Sequence, residues 1–199
     1  MVGIIACSIS GTILARSKNF DPMGCILVAM VTAIGGGTVR DVMLDRQPLF
    51  WMNDLTYLTV ITLTSLIFQA FFRVNDRVDR ILQVSDAIGL SVFTLIGVKV
   101  ALSYGMNMPV AMLMGIITII VGGMIRDMIC NELPLVLRQE IYITASMVGS
   151  GVYFMLQHFR LTEWVSEVVM MLTIFIIRMM AIFYDWHLPA VNTWFKSAK

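Results

Sequence analysis

GGGTVRD at residues 35–41 and VGGMIRD at residues 121–127 are two versions of one pattern, and a shift of 86 residues places the first over the second. The same shift aligns small, polar and proline residues elsewhere in the two segments. The aligned pairs are Gly3 with Gly89, Gly11 with Gly97, Ala15 with Ala101, Thr32 with Thr118, Pro48 with Pro134, Leu49 with Leu135, and Asp54 with Glu140. Self-similarity at a fixed spacing indicates a duplicated structural unit.

The chain around these motifs has the composition of a membrane protein. Of its 199 residues, 58% are hydrophobic and only 14% are charged, and the mean hydropathy is +0.84. One bilayer crossing takes about 20 apolar residues. Apolar runs between short polar breaks predict seven spans, near residues 2–15, 22–44, 54–72, 84–103, 108–130, 139–157 and 163–184. We therefore predict an all-α membrane protein with seven transmembrane helices.

The duplication and the predicted spans together predict the topology. Each unit holds three helices, an odd number, so the second unit must enter the membrane from the side opposite to the first. The predicted arrangement is a single transmembrane domain. It consists of two inverted three-helix repeats, residues 1–80 and 81–160, followed by a seventh helix and C-terminal tail at residues 161–199.

Positive residues in the loops predict the orientation, because Lys and Arg are retained on the cytoplasmic side during insertion. One face has Arg46 and Arg160. The opposite face has Arg16, Lys18, Arg73, Arg77, Arg80, Arg138, Lys196 and Lys199. This asymmetry predicts an N-terminus outside the cell and a cytoplasmic C-terminus.

Glycines interrupt the second helix of each repeat. Glycine runs weaken a helix and free backbone carbonyls, which a membrane tolerates only where the backbone faces protein or a watery cavity. Inverted-repeat transport proteins often build their sites at such interruptions. The candidate kinks beside an ion path are Gly35, Gly36, Gly37, Gly122 and Gly123. The alternative is that these small residues serve close helix packing.

Hydroxyl residues accompany the glycines at helical spacing. Each glycine-rich helix has a threonine four residues before a glycine, and the first helix of each repeat has a hydroxyl residue three before a glycine. Small polar faces of this kind suit a narrow cavity whose hydroxyls partly replace ion hydration, and they also suit helix packing. The candidate pore-lining residues are Ser8, Thr32, Thr94 and Thr118.

Charged residues inside predicted spans are costly unless they pair, reach water or extend to the interface. The intramembrane charges of interest are Arg40, Asp41, Lys99, Arg126 and Asp127. Adjacent helix residues do not face each other, so we expect partners for the two Arg–Asp dipeptides on other helices. Asp54 and Glu140 are candidates, with stabilisation of a helix N-terminus as the simpler role for both. Lys99 either extends to the interface or projects into the path as a barrier to cations.

Other kinds of site are not indicated. The sequence has no H-E-x-x-H, G-x-S-x-G or P-loop motif, so we predict that the protein is not an enzyme. Cys7, Cys25 and Cys130 have no C-x-x-C spacing, which favours packing over a disulfide or metal site. A net charge of +1 provides no basic patch for nucleic acid.

Three segments together resemble the prokaryotic TRIC-like channels, relatives of the trimeric intracellular cation channels. They are GGGTVRDVML at 35–44, SDAIGLSVFTLIGVKVAL at 85–102 and VGGMIRDMICNELP at 121–134. The resemblance implies a seven-helix fold of two inverted repeats, a homotrimer in the prokaryotic inner membrane, and an ion path in each protomer beside the glycines of the second and fifth helices. Val121 stands where a third glycine could be, so the second kink is expected to be smaller.

The resemblance also implies a function. Potassium is expected to be the main permeant ion, with sodium also conducted. We expect no cofactor beyond the permeant K+ or Na+ ions and membrane lipid, and no soluble protein partner. The alternative is a small amino-acid transporter, because a bacterial branch with the same paired motif has been described as glycine transporters. A channel needs a continuous wetted path, whereas a carrier needs a bound solute and alternating access. A non-transporting assembly protein would leave the repeated polar faces unexplained.

Overall fold

The computed structural model describes residues 1–71, 78–138 and 141–186 of the chain. Within these ranges it contains eight helices. They are α1 Val2–Ser17, α2 Pro22–Met43, α3 Thr56–Phe71, α4 Val78–Ser103, α5 Met108–Ile129, α6 Leu135–Arg138, α7 Ile141–His158 and α8 Glu163–Phe183. The short α6 has only 4 residues, and each of the other helices overlaps one predicted span.

Several of these helices have the length and composition of membrane spans. Among the described helices, four are long and apolar enough to cross a membrane, namely α2, α4, α5 and α8. The helices α1 and α3 are apolar but shorter, with 16 residues each. The prediction of an all-α membrane protein is therefore confirmed. Of the residues used in the sequence predictions, these lie outside the described ranges: Arg73, Arg77, Glu140, Lys196 and Lys199.

Four helices form the centre of the molecule. The helix α1 packs on α2, α4 packs on α5, and the two pairs meet through contacts of α1 with α4 and of α2 with α5. The helix α3 packs on α1 and α2, α7 packs on α4 and α5, and α8 packs on α4 and α7. Each central helix contributes to one hydrophobic core, as shown by the buried side chains of Ile4, Ala29, Leu90 and Ile119.

The helices α1 and α4 run antiparallel. A Cβ built on Gly3 would lie 3.0 Å from the Val92 side chain, and a Cβ built on Gly89 would lie 2.7 Å from the Cys7 sulfur. From the first contact to the second, the residue number rises in α1, from Gly3 to Cys7, and falls in α4, from Val92 to Gly89. These are the first helices of the two predicted repeats, so their opposite directions agree with the predicted inversion.

The ends of α2 and α5 have the same local structure. Asp21 and Asn107, which are 86 residues apart, cap the two helices by accepting a hydrogen bond from the backbone N–H three residues later. Both helices have a proline in the first turn, where no backbone donor is needed. Shortly after the two helices end, Asp45 and Asn131 adopt left-handed φ values of 51° and 53°. The local sequence therefore sets equivalent limits for the two glycine-rich helices.

Candidate functional site

The helices α2 and α5 cross at their glycines with almost no space between the two backbones. A Cβ built on Gly36 would lie 1.7 Å from the Thr118 carbonyl oxygen, and a Cβ built on Gly122 would lie 2.6 Å from the Thr32 carbonyl oxygen. Backbones approach this closely only where the side chain is a hydrogen atom. The two contacts also show that α2 and α5 run antiparallel. We call this place the glycine crossing.

The other three predicted glycines have different surroundings. A Cβ on Gly37 would come within 2.6 Å of the Phe50 ring. Gly35 and Gly123 have room for a methyl group, whose nearest atoms would be 3.6 and 3.7 Å away. Both helices continue as α-helix through their glycines. The structure thus brings one glycine from each motif into the crossing and gives the remaining three other neighbours.

The four predicted pore-lining hydroxyls are buried, with exposed fractions of at most 5%. The hydroxyls of Ser8, Thr32 and Thr118 donate to the carbonyl oxygen four residues earlier in the same helix. The Thr94 hydroxyl lies 3.3 Å from the Ser146 hydroxyl. In this conformation all four take part in helix structure and packing, and their role beside an ion path stays a prediction.

The first Arg–Asp dipeptide forms an ion pair within itself. Arg40 donates from Nε and Nη2 to Asp41 Oδ1 at 2.9 and 2.6 Å, and its guanidinium lies 5.7 Å from the centre of the Phe50 ring. Asp41 Oδ2 accepts from the Phe50 backbone N–H at 3.1 Å, and Arg46 lies 3.6 Å from Oδ1. The expectation of a partner on another helix is wrong for Arg40, because its long side chain bends back to the adjacent carboxylate.

The second dipeptide forms the same pair and gains an acid from α4. Arg126 Nε donates to Asp127 Oδ1 at 2.7 Å, and Asp127 Oδ2 accepts from the Leu135 N–H at 2.9 Å. Arg126 Nη1 donates to the Ser10 hydroxyl and to Asp86 Oδ1, the latter at 2.9 Å. The three charged residues are each at most 2% exposed. For Arg126, a partner on another helix is therefore present.

A second buried arginine lies close to this group. Arg178 of α8 is fully buried, its guanidinium lies 5.0 Å from the centre of the Tyr142 ring, and it interacts electrostatically with Asp86. Two arginines and two acids thus meet in the second half of the molecule, with formal charges that sum to zero. An unpaired buried charge costs several kcal/mol, roughly 3–5 when a partner is lost, which favours this balance.

Cavities of very different size lie beside the two Arg–Asp pairs. In the first half, Gly37 and Arg40 line a cavity of about 250 Å³ between α1, α2 and α4. In the second half, the corresponding space beside Gly123 and Arg126 is about 10 Å³. The guanidinium of Arg126 is already bound by Asp86, whereas no acid from α4 binds the guanidinium of Arg40 within the described ranges.

Lys99 pairs with two carboxylates on α8. Its Nζ lies 3.0 Å from Glu163 Oε1 and also binds Glu167. The Lys99 side chain is 41% exposed, and that of Glu167 is 23% exposed. This pairing joins α4 to α8 and is a role that neither sequence interpretation of Lys99 included. Whether the ammonium also acts as a barrier to cations stays a prediction.

Asp54 has the simpler of its two predicted roles. Its Oδ1 accepts from the Thr56 N–H at 2.9 Å at the beginning of α3. Hydrogen bonds from the side chain and backbone of Thr56 hold the pKa of Asp54 below its usual value. The aligned Glu140 lies outside the described residues.

Several residues of these clusters were not predicted from the sequence, among them Asp86, Glu163, Glu167 and Ser10. Asp86 lies inside the span predicted at 84–103 and Glu167 inside the span predicted at 163–184. An acid within an apolar span is itself a signal, because it needs a partner. Ser10 gave no such signal, since a serine in a membrane helix commonly bonds to its own helix.

Comparisons with known proteins show the family. A family model described as "Glycine transporter" matches residues 1–73 and 83–158. The UPF0126 inner membrane protein YadS of Escherichia coli K12 is 39% identical over 190 residues, which cover 94% of this chain and 91% of that protein. The chain belongs to the UPF0126 family. A second UPF0126 membrane protein, from Vibrio cholerae, is 45% identical over 150 residues, which are 75% of this chain and 63% of that protein.

This UPF0126 protein is also similar to solved TRIC channels. A TRIC trimeric intracellular cation channel orthologue from Rhodobacter sphaeroides matches with a TM-score of 0.89 and 31% identity, over 93% of this chain and 95% of that chain. A TRIC cation channel in a structural study of conductance matches with a TM-score of 0.84 and 35% identity, over 95% of this chain and 93% of that chain. The resemblance to TRIC-like channels is therefore confirmed. These UPF0126 and TRIC relatives are membrane proteins and channels, not an enzyme family.

Proposed function

We propose that this protein is a monovalent cation channel, permeable to potassium, with a pore in each protomer of a homotrimer. The main support is the similarity of nearly the whole chain to a TRIC trimeric intracellular cation channel, at a TM-score of 0.89. The permeant ions are K+ and Na+, and no cofactor takes part. The protein lies in the prokaryotic inner membrane with its N-terminus outside and its C-terminus in the cytoplasm.

In this proposal, α1 to α5, α7 and α8 are the seven membrane helices. They form inverted repeats at residues 1–80 and 81–160, and the segment 161–199 contains the seventh helix and the tail. Equivalent close contacts support the duplication. A Cβ on Gly11 would lie 2.7 Å from the Thr32 hydroxyl oxygen, and a Cβ on Gly97 would lie 2.7 Å from the Thr118 hydroxyl oxygen. Antiparallel pairing of α1 with α4, and of α2 with α5, supports the inversion.

The ion path of each protomer passes the glycine crossing. The contact of Gly36 with Thr118 leaves no room for an ion between the two backbones, so passage of an ion between them requires α2 and α5 to shift relative to each other. Such a shift also exposes the hydroxyl oxygens of Thr32 and Thr118, whose lone pairs can face a cation while their O–H groups donate within their own helices at 2.6 Å. Hydroxyl oxygens exposed in this way replace part of the hydration shell of the ion.

Single-channel recording of the purified protein in planar bilayers under a potassium gradient tests this function. We expect discrete current steps that reverse near the potassium potential. The variant Thr32→Val removes the hydroxyl and keeps the shape, and we expect smaller steps with unchanged trimer assembly in cross-linking experiments. Thr62→Val in α3 is the matched control, because Thr62 donates the same kind of bond, to the Leu58 carbonyl oxygen at 2.8 Å. Silent bilayers would overturn the channel, and equal currents in the two variants would remove Thr32 from the path.

The second candidate is a small amino-acid carrier. The family model described as "Glycine transporter", which matches most of the chain, favours it. A carrier on this scaffold would bind its solute and alternate between two accessible states. Saturable glycine uptake into proteoliposomes, together with silent bilayers, would establish the carrier in place of the channel.

A further inference from the structure

We propose that the cavity between α1, α2 and α4 binds a small organic carboxylate with an apolar tail, and that the carboxylate lies between Arg40 and Arg46. Both arginines line this cavity of about 250 Å³. The inference does not rest on the channel function, because it concerns binding and not conduction.

Arg40 has a hydrogen-bond donor to spare. Its Nε and Nη2 bind Asp41, whereas Nη1 donates to no acceptor in the described part of the chain. The residue is only 2% exposed and lines the cavity. The ion pair with Asp41 and the Phe50 ring hold the guanidinium in place. A bound carboxylate would therefore meet a preorganised, largely desolvated donor, the setting in which charge-assisted hydrogen bonds are strongest.

Met1 also lines the cavity, and the charged side chains around it leave one positive unit in excess. Arg40 and Arg46 supply two positive charges, and Asp41 supplies one negative charge. Both Asp41 oxygens are already engaged, because Oδ1 accepts from Arg40 and lies 3.6 Å from Arg46 Nη1, and Oδ2 accepts from the Phe50 N–H. In the second half of the molecule, two arginines are balanced by two acids, one of which is Asp86. A monovalent anion would balance this excess charge.

The lining and the volume of the rest of the cavity determine the polarity and the length of the ligand tail. Its apolar and aromatic lining includes Ile4, Phe50, Tyr57, Val92, Phe93 and Ile96. An apolar cavity of about 150 Å³ holds benzene, so a cavity of about 250 Å³ can take a carboxylate with a tail of several carbons. Glycine fits this place poorly, because it has no tail and its ammonium group would compete with Arg40, Arg46 and the Phe50 N–H for Asp41.

Binding of hexanoate to the full-length protein in lipid nanodiscs, measured by calorimetry, tests the chemistry of the site. The matched probes are 1-hexanol and hexylamine, which keep the tail, and acetate and glycine, which keep the carboxylate. We expect hexanoate to bind more tightly than each of them by about tenfold or more. If hexanol bound as tightly as hexanoate, binding would reflect apolar partitioning and not the carboxylate. If acetate or glycine bound as tightly as hexanoate, the apolar tail would contribute nothing to the affinity. Each of these results would overturn the proposal.

Two arginine variants test the location. Arg46→Gln removes the excess charge from a loop residue that is only partly buried, with 33% side-chain exposure. Arg80→Gln removes an exposed arginine of α4 that does not line the cavity. We expect Arg46→Gln to weaken hexanoate binding by about tenfold and to leave hexanol binding unchanged, and Arg80→Gln to change neither. Equal hexanoate affinities in the two variants would place the anion elsewhere.

Competition with a long-chain fatty acid distinguishes a soluble ligand from a membrane lipid. Hexadecanoate has the same carboxylate but a tail too long for the cavity. We expect it to compete with hexanoate only weakly. Displacement of hexanoate by a lower concentration of hexadecanoate would identify the occupant as a membrane fatty acid and would contradict the small solute.

Discussion

Adjacent glycines in α2 provide a direct test of the glycine crossing. Gly35→Ala and Gly36→Ala make the same chemical change in the same helix, and each gains up to about 1 kcal/mol in helix propensity. Their surroundings differ. The new methyl group at Gly35 would meet its nearest atom at 3.6 Å, an ordinary contact, whereas at Gly36 it would lie 1.7 Å from the Thr118 carbonyl oxygen. Because non-bonded heavy atoms settle near 3.5 Å, the two backbones must separate by about 1.5 Å or more.

The expected effect is a difference in stability between the two variants. Overpacking of a close contact typically costs about 1–3 kcal/mol and sometimes more, so we expect Gly36→Ala to be less stable than Gly35→Ala by about 2–4 kcal/mol. Thermal unfolding of the detergent-solubilised protein, followed by circular dichroism, measures this difference. The pair Gly122→Ala and Gly123→Ala repeats the test in α5, where the corresponding distances are 2.6 and 3.7 Å. Equal stabilities within both pairs would refute the tight crossing.

Two further predictions concern the ion pairs. Asp86→Asn leaves Arg126 with a single acid in a buried site, so we expect a loss of about 3 kcal/mol in the free energy of unfolding. The control Asp79→Asn, at an exposed position of α4, should change that free energy little. Equal losses in the two variants would contradict the buried ion pair. Lys99→Met should cost about 0.2–1 kcal/mol, as partly exposed ion pairs do, and adding Glu167→Gln should recover part of that cost. A strictly additive double-mutant cycle would show that the two side chains do not interact.

The positions of the helices could be predicted from sequence because the signals that set them are local. Apolar runs, the capping residues Asp21 and Asn107, and prolines in the first turn act within a few residues of each helix end. Apart from the short α6, which was not predicted, a clear difference is the start of α4, which begins at Val78 and not near residue 84. Charged residues in its first turns interrupt the apolar run without interrupting the helix, so a criterion of hydropathy places the beginning too late.

The site was less predictable, because hydropathy indicates which residues are buried but not which side chains meet. The pattern singled out Arg40 and Arg126 equally, yet only Arg126 gains an acid from α4. That difference depends on where Asp86 lies after α4 and α5 have packed, which no spacing along the chain reveals. Likewise, the glycine motif predicted either a kink or close packing, and the backbone contact of Gly36 with Thr118 appears only once two distant helices cross.

The correspondence between the halves suggests a position for an acid beside Arg40. Ser10, which accepts from Arg126, lies 86 residues before Ile96, and Ile96 lines the cavity beside Arg40. Ile96→Asp should therefore place a carboxylate near the spare donor of Arg40 and weaken hexanoate binding by about tenfold. Ile96→Asn, which has nearly the shape of the aspartate and no charge, should retain most of the binding. Equal losses in the two variants would mean that hexanoate needs the apolar lining and not the excess charge, and the charge-balance argument would be wrong.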